Sequence, residues 1–323
     1  MKPSNLARID FDNIIEELKR RNAKVVGIQL PDGLKFKSDE IVEKIEDAGF
    51  EVILSGSSCY GACDIDLTLL DEVDVLVHFA HTPVFELEKV IYAPYFVDFD
   101  VKRVAELKIP ERRIALIATA QYAWKLKEVK DLLEEKGYEI ELKEGSSRIK
   151  MPGQVLGCNY TVLKNSEADA ILFIGDGLFH PIGAAIYTGK KVYRFSPLSN
   201  EFEEVKHESF LRKRMLLIAK AMDTKKKGAI IVSSKMGQKR LGIARKLKEN
   251  AANAGKKLDI IMIDEISPAK LSNFPYGYYV NTACPRISYD DANLYPAPLL
   301  TPQEFEILIG LRKWEDFAMD EIP

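Results

Sequence analysis

The sequence predicts an α/β fold of three similar domains, each a small parallel sheet flanked by helices. Apolar runs alternate with amphipathic helical segments, and this alternation recurs three times along the 323 residues. Buried strands that alternate with helices are typical of βαβ units, which form parallel sheets with right-handed crossovers. A repeat of about a hundred residues has the size of a small domain. We therefore predict domains at residues 1–108, 109–224 and 225–323.

The first repeat shows the order of elements most clearly. An apolar strand at 24–30 is followed by a helical segment at 38–48, and another strand occupies 50–54. Ser38 is predicted to be the N-cap of the helix, because its hydroxyl suits an unpaired backbone N–H. Gly49 is predicted to end the helix, since glycine adopts the left-handed conformation easily.

The second and third repeats have the same order. Their strand, helix and strand are predicted at 113–118, 124–136 and 138–142, and at 229–232, 238–254 and 258–263. Gly137 and Gly255 end the two helices. Further strands are predicted at 73–79, 90–92, 170–174, 191–193 and 278–280.

Composition excludes several classes of protein. With 46% hydrophobic and 29% charged residues, the chain has ordinary globular composition. A net charge of −3 gives no electrostatic reason to expect nucleic-acid binding, since such proteins usually have a basic face. No apolar segment approaches the roughly 20 residues of a membrane span, and the N-terminus has no signal-peptide core. We predict a cytoplasmic protein, in which four cysteines favour a metal or catalytic role over disulfides.

The cysteines follow predicted strands. Cys59 and Cys63 lie in SSCYGACDID after the strand at 50–54, whereas Cys158 and Cys284 follow strands of the second and third repeats. Ligand sites in open parallel sheets lie at such strand ends. The distances along the chain are too long for a local metal motif, so the alternative of separately buried thiols stays open. If the thiolates converge, they favour zinc, copper(I) or an iron–sulfur cluster, and three thiolates on a four-iron cluster leave one iron open.

Six motifs carry a resemblance to a known family. They are QLPDGL (29–34), YGACD (60–64), GQVLGCN (153–159), FIGDGLFHPIG (173–183), ACPR (283–286) and LRKWE (311–315). In this order, over nearly the whole chain, they resemble the archaeal-type diphthamide-synthesis enzymes, which are 2-(3-amino-3-carboxypropyl)histidine synthases.

The resemblance implies three α/β domains around a central [4Fe–4S] cluster. Matched motif by motif, the ligands are Cys63, Cys158 and Cys284, whereas Cys59 departs from the family pattern and is a possible alternate ligand. The implied reaction transfers the 3-amino-3-carboxypropyl group of S-adenosylmethionine to C2 of a histidine of translation elongation factor 2. It is a radical reaction that releases methylthioadenosine and needs an electron donor, and the family implies a homodimer.

The residues that orient S-adenosylmethionine are predicted from their positions beside the cysteines, at strand ends or, for His180, at the start of the helical stretch PIGAAIYTG, where a structural role is the alternative. The candidates are Arg286, Gln154, Gly157, His180, Gln29 and Asp32. An arginine suits the methionine carboxylate, and a glycine permits close backbone approach. A structural salt bridge is the alternative for Arg286. His78 and His81 flank a strand end and are interpreted as structural.

Three other functions remain open at this point. A quinolinate-synthase-like dehydratase would use the open iron as a Lewis acid. A non-catalytic electron-transfer subunit would hold its cluster with all four cysteines. A structural zinc protein is disfavoured because the sequence contains no CxxC pair.

Overall fold

The computed structural model describes residues 7–290 and 292–323. The first six residues, part of the stretch from which the absence of a signal peptide was inferred, lie outside these ranges. The described strands form three main sheets in chain order and a short two-stranded ribbon.

The first sheet has the strand order β3-β2-β4-β5 and is entirely parallel. The elements of this part of the chain are β1 (Ala7–Arg8), α1 (Phe11–Arg20), β2 (Val25–Gln29), α2 (Ser38–Glu46), β3 (Glu51–Leu54), α3 (Leu67–Glu72), β4 (Val75–Phe79), β5 (Val90–Ala93) and β6 (Phe96–Val97). Strands β1 and β6 form the antiparallel ribbon. The predicted N-cap at Ser38 is wrong, because a 3₁₀ helix at Asp32–Lys37 runs directly into α2 and Ser38 itself has helical dihedral angles.

The second sheet has the order β11-β10-β9-β7-β8. Its elements are α4 (Val101–Ala105), β7 (Arg113–Ala118), α5 (Ala120–Ala123), α6 (Leu126–Glu135), β8 (Glu139–Glu141), β9 (Ala170–Ile174), α7 (Phe179–Thr188), β10 (Lys191–Ser196) and β11 (Glu201–Glu204). All its pairs are parallel except β10 with β11. That pair is antiparallel because the few residues between the two strands suffice for a hairpin but not for a crossover.

The third sheet has the order β13-β12-β14-β15 and is again parallel. Its elements are α8 (Glu208–Asp223), β12 (Gly228–Ser233), α9 (Leu241–Asn253), β13 (Leu258–Ile263), α10 (Pro268–Leu271), β14 (Tyr278–Asn281), α11 (Pro285–Asp290), β15 (Leu299–Leu300) and α12 (Pro302–Leu308). The predicted α/β fold class, with three sheets flanked by helices, is confirmed.

Each sheet buries apolar side chains on both faces. In β7, Leu116 points into the core that contains α4 and α6, whereas Ile117 points into the core that contains α7. This alternation is the two-residue period of a strand with two covered faces. The glycines predicted to end helices have positive φ angles, of 94° at Gly49, 89° at Gly137 and 72° at Gly255.

Helices α4 and α8 pack on the sheet that follows them in the chain. Val104 of α4 belongs to the core of the second sheet. Ile218 of α8 belongs to the core of the third sheet, and Arg214 of α8 pairs with Glu304 of α12 at 2.6 Å. The domain boundaries predicted after residues 108 and 224 place α4 and α8 in the preceding domains, and they remain a prediction. The packing of the two helices favours boundaries that lie before them. Among the described residues, no helix has the length and apolar character that a membrane span requires.

Candidate metal centre

Three cysteines from three sheets line one cavity. Cys63 follows β3, Cys158 follows β8 and Cys284 follows β14, and all three line a cavity of about 210 Å³, here called the cysteine cavity. Burial and, secondly, neighbouring cysteines raise the pKa of Cys158 to about 12 and that of Cys284 to about 11. Thiols of this kind are protonated at neutral pH, so a bound metal would displace their protons.

The loop of Cys63 is tied to the third repeat. Gln238 Nε2 donates to Cys63 Sγ at 3.3 Å, and Lys235 Nζ pairs with Asp64 Oδ2 at 2.5 Å. Gly237 lies so close that a Cβ atom there would be 2.5 Å from the Cβ of Cys63. Burial raises the pKa of Cys63, whereas the Gln238 hydrogen bond and Arg148 act in the opposite direction.

The loop of Cys158 is held by the C-terminal segment. The Ile322 N–H donates to the Cys158 carbonyl at 2.7 Å, and the Tyr160 N–H donates to Glu321 Oε1 at 3.1 Å. Gly157 lines the cavity beside Cys158, and a Cβ atom there would be 2.3 Å from the Phe179 ring. A residue with a side chain at position 157 would therefore clash with the Phe179 ring, which explains the glycine.

Arg240 positions the loop of Cys284. Its guanidinium donates to the carbonyls of Thr282 at 2.7 Å and Ala283 at 2.9 Å, and it pairs with the buried carboxylate of Asp320. The Asn281 side chain donates to the Cys284 carbonyl at 2.8 Å. The carbonyls around the thiol are thus satisfied by side chains.

Arg286 and His180, both predicted from the sequence, line the cysteine cavity. The Arg286 guanidinium lies 5.4 Å from the centre of the Phe179 ring, and its Nε donates to Asp290 Oδ2 at 2.6 Å. The ion pair with Asp290 was the alternative interpretation, but the side chain also borders two adjoining cavities. Burial, and secondly the charge of Arg286, lower the pKa of His180 to about 4. His180 is therefore neutral at pH 7.

Gln29 and Gln154 are fully buried and do not line the cysteine cavity. Gln29 Nε2 donates to the Asp64 carbonyl at 2.8 Å. Gln154 Nε2 donates to Thr82 Oγ1 at 2.8 Å, and Thr82 lines the cysteine cavity. Both amides therefore position the walls of the cavity and do not border its interior.

Asp32 does not reach the cavity. Its side chain is 54% exposed and pairs with Lys35 at 2.7 Å. The reason is the 3₁₀ helix that begins at Asp32, which carries the residue away from the end of β2.

Arg148 is a cavity residue that the sequence analysis missed. It lines the cysteine cavity, donates to the Gly237 carbonyl at 3.3 Å, and opposes the effect of burial on the pKa of Cys158. Within the described part of the chain, its Nε is buried without a hydrogen-bond partner. Its place in the same loop as Cys158 was the one signal that pointed to it.

Cys59 does not line the cysteine cavity as the structure describes it. Its sulfur lies within 4.8 Å of one imidazole nitrogen of His78 and one of His81. The histidines predicted to be structural thus surround the cysteine that departs from the family pattern.

Comparisons with known proteins agree over nearly the whole chain. The family model described as "Putative diphthamide synthesis protein" matches residues 30–318. The 2-(3-amino-3-carboxypropyl)histidine synthase of Pyrococcus horikoshii is 42% identical, over 98% of this chain and 94% of that protein. The synthase of Methanocaldococcus jannaschii is 32% identical, over 99% of this chain and 95% of that protein.

A solved structure shares the fold. The crystal structure of Dph2 from Pyrococcus horikoshii with a 4Fe-4S cluster superposes with a TM-score of 0.91 at 40% identity, covering 98% of this chain and 95% of that one. These similarities do not support the quinolinate-synthase-like or electron-carrier alternatives. They confirm the resemblance seen in the six motifs, and this chain belongs to the diphthamide synthesis family.

Proposed function

We propose that this protein is a 2-(3-amino-3-carboxypropyl)histidine synthase that acts in the first step of diphthamide biosynthesis. It transfers the 3-amino-3-carboxypropyl group of S-adenosylmethionine to C2 of a histidine of translation elongation factor 2 and releases methylthioadenosine. The observation that carries this proposal is the convergence of Cys63, Cys158 and Cys284, one from each sheet, on one cavity.

The chemistry of the cavity fits a [4Fe–4S] cluster. Three thiols are the donor set that binds three irons of such a cluster and leaves the fourth open. Cys63, Cys158 and Cys284 would hold it, whereas Cys59 lies outside the lining. When bound, the cluster supplies the electron that splits the bond between the sulfonium and the methionine γ-carbon.

The protein side chains bind and orient the substrate. The Arg286 guanidinium offers N–H donors to the methionine carboxylate at the rim of the cavity. Arg148 adds a second positive charge beside the cysteines, and neutral His180 forms part of the wall without repelling the sulfonium. Because the three C–S bonds of the sulfonium are chemically similar, this orientation decides which one breaks.

The proposed reaction requires two partners. The protein substrate is elongation factor 2, and an electron donor supplies the reducing equivalent. We also propose a cytoplasmic homodimer, without nucleic acid or membrane as a partner. Sedimentation of the purified chain at several concentrations measures the oligomeric state.

An anaerobic turnover assay tests the function. The purified holoprotein is mixed with dithionite, S-adenosylmethionine and unmodified elongation factor 2, and we expect methylthioadenosine together with a mass increase on one histidine. Cys158→Ser should lose the cluster and at least about 100-fold of the activity, because one of three ligands is missing. Ser272→Ala, a conservative change at an exposed hydroxyl, is the control. Formation of 5′-deoxyadenosine, or no reaction in the wild type, would contradict the proposal.

A further inference from the structure

A second group of metal-ligand atoms lies beside the cysteine cavity. Cys59 Sγ and one imidazole nitrogen each of His78 and His81 all lie within 4.8 Å of one another. Cys59 follows β3, His78 lies in β4, and His81 follows β4. His78 Nε2 and His81 Nδ1 are 3.0 Å apart. Cys59 and His78 are buried and His81 is partly buried, so this is an interior cluster of ligands.

The hydrogen bonds of Gln29 determine the tautomer of His78. Gln29 Nε2 donates to the Asp64 carbonyl and Oε1 accepts from the Asp66 N–H, so the orientation of the amide is assigned by two backbone partners. His78 Nδ1 lies 2.9 Å from the same Oε1 and must donate to it. In the neutral imidazole, Nε2 then has a lone pair, and Nε2 is the nitrogen that lies 3.0 Å from His81 Nδ1.

Metal-binding imidazoles usually donate their second N–H to an oxygen acceptor, which orients the ligand. The contact between His78 Nδ1 and Gln29 Oε1 at 2.9 Å is of this kind.

We propose that Cys59, His78 and His81 bind one zinc-type divalent cation, at a site that shares only His81 with the lining of the cysteine cavity. One thiolate and two imidazoles are a ligand set that zinc prefers, and a water would complete a tetrahedron. Two imidazole nitrogens on one tetrahedral zinc lie about 3.3 Å apart, close to the observed separation. A hydrogen bond between the two histidines would explain the short distance between their nitrogens. It would not explain why the Cys59 sulfur lies within 4.8 Å of both.

The cation would join two segments next to the cysteine cavity. Cys59 is four residues before Cys63, and His81 is a lining residue of the cavity. A metal on these ligands would hold the loop after β3 against the end of β4. The inference concerns the three ligands alone and does not depend on the proposed transferase activity.

Zinc binding by the cluster-loaded holoprotein tests the site, because the other three cysteines are then occupied. Elemental analysis after removal of free metal should give one zinc per chain. Absorption spectroscopy at the zinc edge should show one sulfur near about 2.3 Å and two nitrogens near about 2.0–2.1 Å. Cys59→Ser and His81→Asn should each weaken zinc affinity at least about tenfold, as loss of a ligand requires. His207→Asn, a histidine removed outside the site, should leave zinc affinity unchanged.

Several results would overturn the proposal. They are absence of zinc from the wild type in excess metal, unchanged zinc affinity in Cys59→Ser, and a sulfur-rich zinc shell that would put the metal in the cysteine cavity. Loss of iron with unchanged zinc in Cys59→Ser would make Cys59 a cluster ligand instead. If a variant fails to fold by circular dichroism, the stoichiometry and spectrum of the wild type decide.

Discussion

Gly237 and His180 show how single residues determine the shape and charge of the cysteine cavity. Gly237 lies against the backbone of Cys63, with no space for a side chain. The His180 ring stacks on the Phe173 ring and makes an edge contact with the Phe179 ring. These two contacts hold the neutral imidazole in the wall of the cysteine cavity. At the scale of single residues, close packing around the thiols determines how the cysteine cavity is shaped.

Gly237→Ala should reduce cluster retention. The new Cβ would lie 2.5 Å from Cys63 Cβ and 2.6 Å from its Cα, so the backbone that carries the thiol must move. We expect iron content to fall at least about twofold, since ligand geometry tolerates only small displacements. Gly242→Ala is the matched control, because a Cβ at Gly242 meets nothing within 4 Å. Equal iron content in the two variants would show that the contact does not matter.

The low pKa of His180 should make stability depend on pH. The folded pKa of about 4 lies below the unfolded value of 6.5, so the unfolded chain binds more protons between these values. The contribution is present above pH 6.5 and is lost as the pH falls toward 4, by about 2 kcal/mol for a partly exposed group. Chemical denaturation of the apoprotein at several pH values measures it. Burial also lowers the pKa of His78 to about 3 and that of His81 to about 4, so His180→Gln should reduce the slope of the curve but not abolish it. A His207→Gln variant controls for loss of a histidine elsewhere, and an unaltered curve in His180→Gln would refute the assignment.

At the scale of the elements, the loops after strands are held by side chains from other parts of the chain. Arg240, just before α9, bonds the carbonyls that follow β14 and the carboxylate of Asp320 in the C-terminal segment. The same segment bonds the Cys158 loop through Ile322. Two of the three cysteine loops therefore depend on one short stretch of chain.

Asp320→Asn should destabilise the protein by about 3 kcal/mol, because it leaves the charge of Arg240 buried and poorly paired. The two side chains are 2% and 10% exposed, respectively. Asp169→Asn is the control, since its pair with Arg113 is half exposed and should contribute about 1 kcal/mol or less. Urea unfolding measures both. If the two variants lost similar amounts of unfolding free energy, the buried pair would contribute no more to stability than the exposed one.

At the scale of the whole molecule, the site exists because three sheets present their carboxyl strand ends to one another. Lys235 of the third repeat bonds Asp64 of the first, and Gln154 of the second bonds Thr82 of the first. Binding a ligand at such a junction stabilises the arrangement of all three repeats.

Removal of the cluster should therefore lower the melting temperature. Its proposed ligands come from three separate loops, so unfolding of any one repeat releases it. We expect a difference of more than about 5 °C between cluster-loaded and apo protein, a few kcal/mol at this chain length. Calorimetry under anaerobic conditions measures it, with Cys158→Ser treated identically as the control. A melting temperature that does not respond to loading would contradict ligation across the repeats.

By itself, the sequence determined the longer parallel strands, the glycine-terminated helices, the family, and the cysteines as the residues to examine, but not the strands β1, β6, β11 and β15. These properties depend on periodicity, backbone conformation and short motifs, which are local. The tertiary structure alone decided that Asp32 faces solvent, that Gln29 and Gln154 support the walls, and that Arg148 enters the cavity. It also brought Cys59 to His78 and His81. Such contacts join residues far apart in the chain, and their geometry depends on packing and hydrogen-bond direction, which leave no periodic trace in the sequence.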